Sequence, residues 1–360
     1  PSSTLVGYWW SVVVVLMGCV GVCLAAGLVQ IIEDDHAEKT FGETNSYDFY
    51  LHTPKIGEEV FHITDFIGNN FSLTGKTEKI ELEEIGSVEL HFKEDMTETT
   101  FEQYSDTFIA AFGKLSSGEL EKVVLSRIKK IPFNTKEILN YLFYLKASNT
   151  NAFTYLITSP QTGTWVGATP EKLIQRTTGE FQTMALAGTQ PHDRLNEPNW
   201  SEKEIHEHEI VANEIEDVLK KKTSDYSRKE RENHKSGSVV HLKTEFTFAT
   251  PDVTDFISAL HPTSAIAGKP KDLAVSHIKE SESHKRELYT GYLGFRRGEE
   301  SHYFVNLRCM QVHKDAASLY LGGGITKESI LEEEWAETED KAKSLLSPLE
   351  KMQNFAGNDF

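Results

Sequence analysis

The sequence predicts an α+β protein in which layered, largely antiparallel sheets are surrounded by helices. Three observations predict it. Across residues 153–187, short apolar runs are punctuated by Pro160, Gly163, Pro170 and Gly179, the pattern of a meander. Residues 100–115 and 200–222 instead show helical spacing of apolar or charged side chains. The two kinds of segment follow one another irregularly, which suits antiparallel sheets rather than the strand-helix alternation of a doubly wound sheet.

The elements follow in order. Residues 47–51 and 88–92 alternate and are expected as strands. Phe101, Tyr104, Phe108, Phe112 and Leu115 recur at helical spacing, with Thr99 or Thr100 available as the cap and Glu102 in the first turn. A strand over 122–128 and a helix over 135–147 come next, then strands at 153–158, 164–167, 172–176 and 181–187. Residues 200–222 read as a charged amphipathic helix. The charge-dense run 220–235 has no apolar periodicity and reads as a solvated helix end and loop. Strands at 303–310 and 318–322 lead into a final helix from about Leu331. There is no internal repeat, and residues 33–360 parse as one catalytic domain.

Residues 1–32 differ from the rest. No charged side chain occurs in 5–32, and a Val-rich run followed by Gly18, Gly21, Ala25, Ala26 and Gly27 allows two readings. One is a membrane-spanning helix. The other is buried strands. The flanks carry no preceding Lys or Arg and are followed by Glu33, Asp34, Asp35 and Glu38, so they give no orientation signal. Membrane contact is expected only through this segment, and the remainder is expected to be cytoplasmic.

Asp and Glu number 55 against 37 Lys and Arg, a formal charge of −18. That balance argues against nucleic acid as a partner, because phosphate-backbone binding needs a positive surface. A small anionic substrate remains compatible, since a few convergent cations and one metal reverse the field locally. Cys19, Cys23 and Cys309 have neither zinc-site nor disulfide-scaffold spacing.

Four features carry chemistry. Glu204 with Glu207 and Glu334 with Glu337 are each three apart, so each pair shares a helix face. Acids converging from two helices call for a hard divalent cation, and magnesium suits oxygen ligands with room left for water and substrate. Such pairs are also commonplace on solvated helices. Lys122 heads the apolar strand Val123-Val124-Leu125, where a lysine can simply snorkel. Gly167-Ala168-Thr169-Pro170-Glu171 is a tight turn presenting a carboxylate, and Gly322-Gly323-Gly324 lets backbone amides approach an anion.

Together with their flanks these words resemble the chorismate-utilising enzymes over residues 99–341, and among them the isochorismate synthases. The matching words are Thr99-Thr100-Phe101-Glu102-Gln103, Lys122-Val123-Val124-Leu125-Ser126-Arg127, Gly167-Ala168-Thr169-Pro170-Glu171, Leu186-Ala187-Gly188-Thr189, and Ser201-Glu202-Lys203-Glu204 running on to His206-Glu207-His208. They continue with Leu260-His261-Pro262-Thr263, Arg286-Glu287-Leu288-Tyr289, Asn306-Leu307-Arg308-Cys309, Gly322-Gly323-Gly324-Ile325 and Glu334-Trp335-Ala336-Glu337-Thr338. Each word alone is weak, and their common order is the signal.

The resemblance implies a mechanism. Lys122 matches the base that activates water, a role that requires a free amine, and Glu171 matches the acid that protonates the departing hydroxyl. Glu207 and Glu337 match ligands of Mg2+, with Glu204 and Glu334 behind them, directly or through water. Arg308 and Lys341 fall where the family holds substrate carboxylates. Amides of Gly322 and Gly324 add hydrogen bonds, Leu186, Ala187, Gly188 and Thr189 line the pocket, and His261 supports it. Relatives that make aminodeoxychorismate carry a lysine at the position of Ala187. Salicylate synthases tend to a threonine at the position of Ala265. Isochorismate is thus the expected product, with salicylate synthase and a non-catalytic chorismate-binding homologue as the rivals.

Overall fold

The computed structural model describes residues 12–17, 48–80, 88–176, 179–191, 198–236, 239–250 and 253–356. In chain order its elements are β1 (Val12–Met17), β2 (Asp48–Thr64), β3 (Asn70–Ile80), α1 (Phe101–Ser116), β4 (Lys122–Pro132), a 3-10 turn (Thr135–Glu137), α2 (Ile138–Ser148), β5 (Phe153–Ser159), β6 (Gly163–Thr169), β7 (Lys172–Arg176) and β8 (Phe181–Pro191). There follow α3 (Glu202–Lys222), β9 (Tyr226–Arg228), β10 (Glu232–Ser236), β11 (Val239–Phe248), α4 (Val253–Leu260), β12 (Gly268–Lys269), α5 (Lys271–Ser281), β13 (Tyr292–Arg297), β14 (Glu300–Val305), β15 (Cys309–Val312), β16 (Ala316–Ile325) and α6 (Leu331–Ala356).

The described strands hydrogen-bond in the order β10-β11-β8-β7-β14-β13-β2-β1-β5-β6-β15-β16-β4-β12, with β3 on β2 and β9 on β11. Strands neighbouring in sequence and strands far apart in it both pair antiparallel, as expected for an α+β fold. Apolar clusters lie between this curved sheet and its helices. Phe133, Tyr141, Leu142 and Leu345 join α2 and α6 to β6, β15 and β16. Leu173, Ala187, Val211, Ile215 and Phe246 seat α3 on β8 and β11. Tyr104, Phe108, Leu115, Val123 and Ile325 seat α1 against β4.

Local signals account for several elements. Thr100 and Gln103 form a reciprocal capping box at the start of α1. The apolar spacing then buries Tyr104, Phe108 and Leu115, but leaves Phe112 at 36% exposure. Val12–Met17 is a strand between β2 and β5; the rest of residues 5–32 lies outside the described residues. No described helix is long and apolar enough to cross a membrane.

Three expectations are corrected. Residues 88–92 are irregular, because the His91 amide bonds to the Thr158 and Thr164 hydroxyls at 3.0 and 3.2 Å instead of a strand ladder. Much of the charge-dense run is β9 and β10, which pair with β11, and their charges are met at the surface by Arg228–Glu209, Arg228–Glu216 and Lys243–Glu232 contacts. The single strand expected at 303–310 is broken after Val305. Asn306 holds the break by accepting from the Tyr155 hydroxyl at 2.5 Å and donating to Leu288 O at 2.9 Å.

Candidate active site

Two neighbouring strands build one wall. Gly322, Gly323 and Gly324 of β16 stand opposite Ser126, Leu125 and Val124 of β4, and Lys122 lies just beyond. Lys122 does not snorkel: it is 0% exposed, with Nζ 3.0 Å from Glu207 Oε1 and no well-directed hydrogen bond. The glycine beside it is required for space. A Cβ at Gly324 would come within 2.1 Å of Glu207 Oε1 and 2.8 Å of Lys122 Cε, so any side chain there would displace the pair.

Across from these strands, the turn between β6 and β7 presents Glu171, which is 3% exposed rather than on the surface. Burial pushes its carboxyl up to about 8, against the opposing pull of Lys122 and Arg308. The Glu171 side chain therefore carries a proton at neutral pH, as a general acid must.

The broken strand after Val305 delivers Arg308 to the same place. Its guanidinium is buried, its Nε has no hydrogen-bond partner, and among the described residues it makes no ion pair. Its NH2 group donates to His241 Nε2 at 3.3 Å, while His241 Nδ1 faces Gly188 O at 3.3 Å and the Thr189 hydroxyl at 3.1 Å. Burial first, then Arg308 and Lys341, hold the imidazole well below its ordinary range. His241 is thus neutral, and this network assigns its proton to Nδ1. A buried guanidinium facing a neutral imidazole is a ready receptor for a carboxylate.

Most of these groups surround one cleft. Glu171, Glu207, Arg308, Lys341, Gly322, Gly324 and the run Leu186, Ala187, Gly188 and Thr189 all line it. Ala265, Ile266, Tyr289 and Leu307 complete the apolar part. Lys341 reaches the cleft from α6, donating to Gly322 O at 2.9 Å and pairing with Glu337 Oε1 at 2.5 Å.

The acidic residues divide. Glu207 of α3 and Glu334 and Glu337 of α6 gather around the glycine strand: a Cβ at Gly323 would lie 3.3 Å from Glu334 Oε2 and 3.5 Å from Glu337 Oε1. Burial, reinforced by Glu337, raises the Glu334 carboxyl to about 7, and its Oε2 is buried without a partner. For Glu207, burial is outweighed by Lys122, Lys341 and Lys203, which keep it below the ordinary carboxylate range. No group of three or more His, Cys, Asp or Glu among the described residues forms a preassembled metal cage. Each of the three acids is instead met by a lysine, Lys122, Lys203 or Lys341. An uncompensated carboxylate oxygen beside a second acid nevertheless fits a hard cation.

Two expected site residues are corrected. Glu204 turns back on its own helix, where its Oε2 accepts from the Ser201 amide at 2.8 Å and from the Ser201 hydroxyl, the geometry of a capping box. His261 does not line the cleft. It packs edge-on against Tyr292 with centroids 4.9 Å apart, and burial brings its imidazole down to about 4.

A family model described as chorismate binding enzyme matches residues 63–350. The chain belongs to the chorismate-binding enzymes. Among curated relatives, the isochorismate synthase EntC of Escherichia coli (strain K12) is 30% identical over 69% of this chain and 67% of its own length. DhbC of Bacillus subtilis is 29% identical over 68% of this chain and 67% of its own length, and MenF of Haemophilus influenzae is 30% identical over 66% and 58%. The fold matches a 2,3-dihydroxybenzoate-specific isochorismate synthase structure from Bacillus anthracis with TM-score 0.71, 22% identity, and coverage of 84% of this chain and 94% of that one. Anthranilate synthase component I from Streptococcus pneumoniae shares the fold at TM-score 0.62 and 19% identity, over 96% of this chain and 93% of that one.

Sequence reasoning missed His241 and Tyr289 as residues that line the cleft, and Lys203 as the partner of Glu334. Tyr289 lay in a matching word, and Lys203 stood next to Glu204, so both had a signal. His241 sits on β11, a strand the sequence reading did not assign.

Proposed function

We propose that this chorismate-binding enzyme is a magnesium-dependent isochorismate synthase, an isomerase that adds water at C2 of chorismate and releases the C4 hydroxyl. The observation that carries the reading is the convergence on one cleft of Glu171, held protonated by burial, and the buried Arg308, with Lys122 buried behind the lining against Glu207. Relatives named for menaquinone and siderophore synthases support the reaction and leave either route as the destination of the product.

Arg308 and Lys341 bind carboxylate groups of the substrate, with amides of the Gly322 to Gly324 run beside them. Lys122 takes a proton from the attacking water, whose oxygen bonds to C2. The ring double bonds shift, and the C4 oxygen leaves as water with the proton from Glu171. Atoms balance, so chorismate and isochorismate are isomers. Glu207, Glu334 and Glu337 would hold Mg2+, which when bound screens the ring carboxylate's charge. Leu186 and Ala187 exclude water from the ring face, raising the effective strength of these charges.

Purified protein given chorismate and Mg2+ should form isochorismate as its main early product, and chelation should abolish formation reversibly. Salicylate with pyruvate as the main early products would replace this reading with a salicylate synthase. Binding of chorismate without any product would replace it with a silent homologue.

A further inference from the structure

Lys203 is a half-buried cation that the proposed reaction does not use. It stands in the first turn of α3, and its Nζ contacts Glu334 Oε1 of α6 at 2.5 Å. The lysine side chain is 17% exposed and the glutamate side chain 0%, so the lysine reaches solvent where the acid does not. The contact satisfies one oxygen only: Oε2 is buried, unpartnered and directed at Gly323 beside Glu337. Lys122 and Lys341, which meet the other two acids, belong to the reaction machinery.

We propose that Lys203 is an exchangeable counter-cation that competes with a divalent ion for Glu334, and so sets the concentration at which the site loads. The inference rests on the magnesium reading above. Three acids around one short strand repel each other, and a lysine on a flexible stem relieves that repulsion without making a cage. Its partial exposure gives the ammonium a short path to water when a doubly charged ion neutralises the acids better. Because coupling is reciprocal, whatever Lys203 contributes to holding Glu334 is subtracted from metal affinity. A mere staple between α3 and α6 would act in the opposite sense, since its loss would loosen the ligands.

The first test uses wild-type protein. Acetylation of exposed amines, read by mass spectrometry, should rise at Lys203 when saturating Mg2+ is added and stay constant at a surface lysine such as Lys327. The second is calorimetric titration with Mg2+ or Mn2+ alone. K203M should bind the ion more tightly by a factor within the roughly 5- to 150-fold range of ordinary site coupling, while K203R, which keeps the charge, should bind like wild type. K203M should also melt lower than wild type without the ion and gain more from it. Unchanged Lys203 labelling, or a folded K203M that binds the ion equally or more weakly, overturns the competition. If wild type binds neither ion, with or without chorismate, the magnesium reading falls and the competition falls with it.

Discussion

Replacing Glu171 by Gln separates the chemistry of this acid from its burial. The wild-type carboxyl titrates at about 8 instead of 4.5. At about 1.36 kcal/mol per pH unit, that difference is a cost of about 5 kcal/mol for the ionised form, an order-of-magnitude ceiling. Two consequences follow. As the proton donor, Glu171 must be protonated, so kcat/KM should fall about tenfold per pH unit above about pH 8, apart from any acidic limb set by the base. The Gln variant should lose about 100- to 10,000-fold in kcat/KM and lose that alkaline limb. For stability, the folded pKa is raised above the unfolded one. The stabilisation of wild type is therefore complete below about pH 4.5 and declines as pH rises to about 8, where it levels. Melting curves of the two proteins should thus nearly coincide at pH 4.5 and diverge in favour of Glu171→Gln up to pH 8, by at most about 5 kcal/mol. Stopped assays of isochorismate across pH 6 to 10 and parallel thermal melts measure both. A variant with wild-type turnover, or one that keeps the limb near pH 8, would refute the assignment of Glu171 as the acid.

Other perturbations test the surrounding geometry. Gly324→Ala drives a methyl into Glu207 and Lys122, so turnover should fall by at least about a hundredfold, the scale of losing the base, while circular dichroism stays native. His241→Phe removes the acceptor that steadies Arg308; KM for chorismate should rise about 10- to 150-fold, matching the loss of about 1.5 to 3 kcal/mol for one charged hydrogen bond. His261→Phe should leave KM within about twofold, because this ring stands outside the cleft, packed on Tyr292.

The sequence by itself determined the elements whose causes are local, and the chemistry whose residues sit in distinctive words. The Thr100 to Gln103 cap, the apolar stripe of α1 and the strands between residues 153 and 191 all depend on neighbours within a turn or a pleat, so periodicity reveals them. Lys122 and Glu171 were legible from their words, although their burial was not: identical turns and strand ends occur on surfaces. Only tertiary structure decided which acids converge. Spacing of three puts Glu204 and Glu207 on one helix face, yet Glu204 satisfies its own helix end while Glu207 reaches across to Lys122 on another element. Likewise no local pattern separates His241, held between β8 and Arg308, from His261, packed on Tyr292. The physical reason is that a pocket is made by long-range packing, which sets burial and partners, and those in turn set the charge state of each side chain.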